Sequence, residues 1–391
     1  MADEALGVFR VVGLSVPVVL LISGQRAVLE GAQRFDLSAI LRMLGTTAAL
    51  VIPAIGAVLG VSLPSILLVV LGTRVILSLF YAIATRRAIP GLRWVRSHDW
   101  SLLRRVLTFG GWVLVSNTVS PLLVYFDRFA LGTIAGLAAV GFYTAPYEGI
   151  TRILLIPVSV FSSLLPALTS MEAGRETARS GRIASASERI LTPVMALPLS
   201  LVFVFAPELL RVWLGAQYAD QSALALRWLT VGVMANSLAS PLMVMLYAKN
   251  RPDLPAKFHL VELAIHLPLT IVLIRSFGIA GAAAAWTIRV GLDMSLLLWG
   301  AARVSQSPVL VVAGGRVGRS ALAILLLLAG LAGSKLLASR SIVAVVAVSA
   351  AAIAIFVLGS WRWILGEVER DALTRTLRSY AGSLPRTAVS G

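Results

Sequence analysis

Of 391 residues, 58% are hydrophobic and only 13% charged, about half the charged share of a soluble domain. A large soluble enzyme is thereby excluded in favour of a chain that crosses the membrane many times. There is no cysteine and there are three histidines, His98, His259 and His266, so disulfide frameworks and thiolate metal sites are excluded and no metal or cofactor is expected. The net charge of +16 does not indicate nucleic acid, because the basic residues sit in short loops between apolar runs rather than on one face of a soluble domain.

The first residues, MADEALGVFR, carry acids where a signal peptide needs bases, so no cleavable signal is expected. Apolar runs of about 20 residues then recur along the chain. They predict roughly eleven helices, near 5–24, 39–60, 63–84, 106–127, 138–168, 190–212, 223–248, 256–275, 279–302, 318–336 and 341–361. The 138–168 run is long for one span and is read as starting in an interfacial turn. Pro17, Pro53, Pro121, Pro157, Pro241 and Pro268 fall inside spans, where a helix bends rather than breaks.

Alternate loops hold nearly all the basic charge. Arg26 and Arg34 are followed by Arg86, Arg87, Arg93, Arg96, Arg104 and Arg105, then by Arg175, Arg179 and Arg182. The series continues with Lys249, Arg251 and Lys257 and with Arg303, Arg316 and Arg319, whereas the opposite loops, such as VSLP (61–64) and RSFG (275–278), are nearly bare. The basic side is expected to be cytoplasmic, which puts the C-terminus inside and, with eleven spans, the N-terminus outside. After Trp363, residues Leu365, Val368, Ala372 and Leu377 form one helical stripe suited to the inner membrane surface.

Two short matches suggest an internal repeat. LSVPVVLLISGQ (14–25) aligns with LASPLMVMLYAK (238–249), and GTRVILSL (72–79) with TIRVGLDM (287–294), setting Arg74 opposite Arg289. Their shared order supports a parallel duplication in which helices one to three correspond to seven to nine. The first lobe then has three helices against six in the second, and about three further helices are expected upstream of residue 1.

With these segments in view, the chain resembles the polysaccharide (O-antigen, capsule or exopolysaccharide) flippases of the MATE-like superfamily. The resemblance is carried by LEGAQRFD (29–36), FGGWVLVSNTVSPLLVYFDRFALG (109–132) and AVGFYTAPYEGITRILLIPVSVFSSLLPALTSM (139–171). It continues through PELLRVWLGAQYA (207–219), RPDLPAKFHLVELAIHLPLTIVLI (251–274) and GIAGAAAAWTIRV (278–290). It implies an all-α polytopic membrane protein: a two-lobe helix bundle around a central cavity, often followed by two more helices. On this chain that gives a partial N-terminal lobe (1–84), a cytoplasmic linker (85–105), a six-helix lobe (106–302), two additional helices (303–361) and a cytoplasmic tail (362–391). The implied function is translocation of undecaprenyl-diphosphate-linked oligosaccharide across the bacterial inner membrane by alternating access, without enzymatic chemistry. Implied partners are the lipid-linked oligosaccharide, membrane lipids, and glycosyltransferases or polymerases of a polysaccharide pathway.

Charges inside spans are expensive and mark a partner or a function. Glu148–Arg152, Glu262–His266 and Arg289–Asp293 each fall at i, i+4 on one helix face. Each is read either as a mutually neutralised pair or as a cavity residue. Asp127–Arg128, near a helix end, are read as an interfacial anchor. A diphosphate is met best by arginine, whose paired donors match phosphate oxygens. The candidates are Arg74, which has no carboxylate one turn away, then Arg152 and Arg289, then Arg10 and Arg227. Glu148, Glu262, His266 and Asp293 are the candidates for coupling to an ion gradient. Asn117, Asn236 and Ser240 line a sugar path or join helices. Two other readings stand beside this one. A small-molecule antiporter of this fold favours an acidic or aromatic cavity, and an enzyme acting on lipid-linked sugars needs carboxylates or histidines gathered in a large outer loop. The excess of arginine and the bare outer loops argue against both.

Overall fold

In a computed structural model, residues 2–89, 100–174, 176–305, 309–337, 341–367, 369–371 and 374 are described. His98, Arg93, Arg96 and Arg175, and Val368, Ala372 and Leu377 of the tail stripe, lie outside the described residues. No strand occurs among the described residues. Among the described residues ten helices are long and apolar enough to span a bilayer, and the chain is a polytopic all-α membrane protein. It divides into two compact units, residues 1–99 and 100–391.

The first unit is made of α1 (Ala2–Gly31), α2 (Phe35–Val58) and α3 (Leu63–Ala88). Apolar side chains gain little by packing against one another in lipid, so polar contacts matter for association. Here Ser38 Oγ donates to Glu30 at 2.9 Å, Ser78 Oγ donates to Gln25 at 3.3 Å, and the Tyr81 hydroxyl, 2% exposed, reaches the Ser38 carbonyl. These bonds tie α1, α2 and α3 along one seam.

The second unit begins with α4 (Trp100–Ala135) and α5 (Leu137–Thr151). A 3-10 turn (Arg152–Leu154) leads into α6 (Leu155–Ala173), then come α7 (Thr177–Val204), the short α8 (Ala206–Trp213) and α9 (Ala216–Ala248). The chain continues through α10 (Asp253–Ser305), α11 (Val309–Leu336) and α12 (Ile342–Gly359), which a π turn (Ser360–Ile364) follows. A straight helix as long as α10 would span roughly 80 Å, far more than a bilayer core. It is bent at Gly278 (φ 57, ψ −129), a left-handed conformation that glycine adopts without strain. A Cβ at Gly281 would run into the Leu273 carbonyl, so the return arm can approach only because that residue is glycine too. The two arms lie side by side, as the bond between Arg289 and Glu262 requires. The ten helices therefore carry eleven apolar segments, in line with the sequence expectation.

Two boundaries differ from the sequence reading. The 138–168 segment is helical from Leu137 onward, and its irregularity is the 3-10 turn at mid-length instead of an interfacial start. The 190–212 span ends at Val204; Phe205 breaks it, and α8 follows as a separate amphipathic turn anchored by Glu208 to Lys335 at 2.6 Å. The core of the unit is built around Trp286, Tyr143, Met195 and Leu229. Val212, Leu137 and Ile355 remain exposed, which is the expected state of a surface that meets acyl chains.

Past the last span, the Glu369 carboxylate, 4% exposed, accepts a bond from Arg189 Nε of α7 at 2.8 Å. Burial alone would raise the Glu369 pKa, but the hydrogen bonds and charge of Arg189, together with backbone hydrogen bonds, outweigh it and hold the carboxyl below its ordinary value. The stability this contributes is present above the unfolded glutamate pKa of about 4.3 and is lost as pH falls through the lower folded value. Limited proteolysis after residue 365 is expected to accelerate in acid below that window, and to be fast at neutral pH in Glu369→Gln.

Candidate functional site

The charged residues of the second unit form two connected groups. The first joins α4, α5 and the 3-10 turn. Asp127 is fully buried and accepts a short hydrogen bond from the Tyr143 hydroxyl and one from the Arg128 backbone N–H at 2.8 Å. The Arg128 side chain turns the other way, donating to Glu148 at 2.8 Å and to the Val124 carbonyl at 3.3 Å. Its guanidinium lies 5.0 Å from the Tyr125 ring and 4.6 Å from the Tyr147 ring, a favourable placement for a cation on aromatic faces. The interfacial-anchor reading of Asp127–Arg128 is thus corrected. Adjacent residues on a helix diverge by about 100°, and here one points into the core while the other bridges to α5.

Glu148 is consequently held by Arg128. Its i, i+4 neighbour Arg152 stands off at 3.8 Å with 74% of its side chain exposed. Arg128, from the neighbouring helix, holds one oxygen of Glu148 in a direct hydrogen bond, while Arg152 keeps a longer ion pair to the other oxygen.

The second group lies between the arms of α10. Glu262, fully buried, accepts from Arg289 Nη1 at 3.0 Å. Arg289 and Asp293 share a face, yet the ion pair given to Arg289 among the described residues is the one across the hairpin. His266 is also not the partner of Glu262: its ring lies at hydrogen-bonding distance from the Thr270 hydroxyl, 3.3 Å, and edge-on to Phe126. The histidine that joins the carboxylates is His259, which the sequence reading passed over. One ligand atom each of His259, Glu262 and Asp293 lie within 4.8 Å of one another, and His259 Nδ1, Glu262 Oε1 and Asp293 Oδ1 have no hydrogen-bond partner among the described residues. One imidazole nitrogen and two carboxylates could hold a cation. The signal was available in the sequence, since His259 and Glu262 stand three residues apart on one helix face. The two groups meet through aromatic contacts, with Tyr147 edge-on to Trp286 at 5.5 Å and Phe126 against His266.

The remaining arginines lie elsewhere. Arg227, on α9, donates from Nε to the Phe203 carbonyl at 3.2 Å and lines a separate apolar crevice with Lys335. Arg74, half-buried on α3, and Arg10, exposed on α1, belong to the first unit, and neither has an ion-pair partner among the described residues.

Comparison with known proteins places this arrangement in a family. A profile described as "Polysaccharide biosynthesis protein" matches residues 1–223, more than half of the chain. The chain belongs to the polysaccharide biosynthesis protein family. Among relatives of this family, a putative O-antigen transporter of Shigella flexneri is 30% identical over 294 residues, which are 74% of this chain and 68% of that protein. A probable low-salt glycan biosynthesis flippase, Agl15, of Haloferax volcanii is 23% identical over 200 residues, 49% of this chain and 41% of that protein. Among solved structures, the lipid II flippase MurJ in its inward closed conformation matches with a TM-score of 0.54 and 14% identity, over 95% of this chain and 74% of that one. At that identity the likeness is one of fold. In this polysaccharide biosynthesis protein the mid-span charges therefore sit on a helical scaffold similar in fold to that of MurJ.

Proposed function

We propose that this protein translocates a lipid-linked oligosaccharide, carried on undecaprenyl diphosphate, from the cytoplasmic to the outer leaflet of the bacterial inner membrane by alternating access. The observation that carries the reading is Arg152. It lies near the midpoint of the Leu137–Glu172 element with its side chain largely exposed while Glu148 is occupied by Arg128. An arginine held open at that depth cannot face acyl chains without great cost, so it belongs on a water-filled path. There its paired donors fit a diphosphate. Arg74 and Arg10 are the first unit's candidate cations for the same cargo, and the names of the relatives, an O-antigen transporter and a glycan biosynthesis flippase, point to a glycan as cargo. The arginine-rich loops and the C-terminus face the cytoplasm, where glycosyltransferases assemble the cargo.

Glu262, Asp293 and Arg289, with His259, form the coupling element of this proposal. Two adjacent carboxylates beside one arginine reach neutrality by sharing one proton, and a buried group of this kind gains or loses that proton as the path opens to either side. Glu148 and His266 lie beside this route.

Reconstituting the full chain in vesicles with a fluorescent short-chain prenyl-diphosphate saccharide tests the reading. Translocation is expected, with acceleration by an imposed proton gradient that Glu262→Gln and Asp293→Asn remove. Absence of movement by that substrate sinks the function. Rates indifferent to proton and sodium gradients sink the coupling alone, and dependence on sodium only reassigns the three donors to a metal ion.

A further inference from the structure

A recess of about 830 Å³ opens between the start of α4 and the turn joining α9 to α10, within the size range of small-ligand sites. One wall is α4, which contributes Trp100, Arg104 and Trp112 over successive turns; the other carries Asn250, Asp253 and Lys257. It sits at the edge of the apolar span, which begins at Val106, on the arginine-rich face.

The charges in the recess do not cancel. Asp253 is already bound by Arg251 at 2.8 and 3.2 Å and by Lys257 at 3.0 Å. The Arg104 guanidinium has no anionic partner among the described residues. In the lining one carboxylate thus faces two cations, Arg104 and Lys257, while Arg251 binds that carboxylate from outside the recess. The excess suits a phosphate, with arginine giving paired donors and lysine a point charge. The Lys257 ammonium is parked 5.2 Å from the Trp112 ring, and the Trp100 indole is 73% exposed. Tryptophan alone is ordinary at a membrane interface. Two indoles lining a recess that also holds an unpaired arginine and the amide of Asn250 need a further account. A pyranose supplies one: its face of C–H groups stacks on an indole, its hydroxyls bond to an amide, and a phosphate on its anomeric carbon reaches the cations.

We infer that this recess binds the phosphorylated saccharide headgroup of a lipid at the membrane surface, with the phosphate on Arg104 and Lys257 and the sugar ring against Trp100. This rests on the translocation reading and adds to it a loading site, distinct from the mid-span arginines. A bilayer phospholipid such as phosphatidylglycerol offers the same phosphate and hydroxyl chemistry, and the measurement separates the two sources.

The full chain in nanodiscs of uncharged lipid is titrated with citronellyl-diphospho-N-acetylglucosamine, with citronellyl diphosphate and with phosphatidylglycerol, and binding is read by native mass spectrometry. Arg104→Gln is expected to weaken both diphosphates by about ten-fold or more, as loss of a charge-assisted bond implies, and Arg104→Lys by less. Trp100→Ala, at an exposed position, is expected to weaken only the glycosylated compound. Unchanged melting temperature confirms that each variant is folded. Wild-type affinity in Arg104→Gln overturns the inference, and so does phosphatidylglycerol displacing the glycosylated compound with the same dependence on Arg104 and Trp100. Intact translocation with Arg104-independent binding condemns the recess alone. Arg104-dependent binding without translocation condemns the transport reading alone.

Discussion

Arg152→Gln is expected to reduce translocation of a diphosphate-linked saccharide by roughly ten- to a hundred-fold while leaving insertion and melting temperature unchanged. The magnitude follows from the loss of charge-assisted hydrogen bonds, about 1.5–3 kcal/mol, at about 1.4 kcal/mol per ten-fold. The structural cost is small because the side chain is 74% exposed and its separation from Glu148 is 3.8 Å, with Arg128 closer at 2.8 Å. Arg152→Lys retains the charge but not the paired donors and is expected to fall between. The converse variant, Arg128→Gln, is expected to act differently. It removes the bridge from α4 to α5 and two aromatic contacts, so it lowers stability as well as rate. Initial rates in vesicles, beside melting curves of the same preparations, distinguish the two. Wild-type rates in Arg152→Gln remove this residue from the substrate path.

Arg289→Met is expected to cause the largest loss of stability of any single change in the unit. Its partner Glu262 is fully buried, and Arg289 itself is only 10% exposed at the side chain. Breaking a buried pair by removing one member leaves an uncompensated charge and costs about 3–5 kcal/mol. For a unit of this size that is a fall in melting temperature on the order of 10 °C. Glu262→Gln in the same background removes the stranded charge, and the double variant is expected to recover most of the loss. A double-mutant cycle reads the coupling directly. Additive losses would show that the two side chains do not act as a pair. Because Asp293 and His259 stand in the same group, Glu262→Gln alone is expected to be milder than Arg289→Met: it leaves Arg289 near a second carboxylate.

Most of the architecture was legible because hydrophobic length is a local property. A run of about 20 apolar residues predicts a span wherever it occurs, and ten helices of that character are present among the described residues. The break within α10 was visible too: the RSFG segment supplied both the polar interruption and the glycine that the left-handed turn at Gly278 uses. The boundary at 204–206 was not, because apolar residues run on through Phe205 and Ala206 and resume at Leu209 after Pro207 and Glu208, while the backbone turns to lay α8 as an amphipathic segment. Hydropathy averages over such a turn, and amphipathicity shows only after the axis of the short helix is known.

Charge pairing was the least legible feature, and for a physical reason. The i, i+4 rule counts neighbours on one helix, whereas a buried ion pair is settled by whichever partner also satisfies the remaining donors. Glu148 went to Arg128, twenty residues away; Glu262 went to Arg289 across a hairpin; and Asp127, read from its helix position as an anchor, went to Tyr143 in the core. The sequence by itself determined the helices, the membrane environment, the family resemblance and the set of charged residues inside spans, since each depends on composition within a window. Tertiary structure decided which charges neutralise one another, which histidine joins the carboxylates and which arginine stays open, because those outcomes depend on distances between helices that no periodicity encodes.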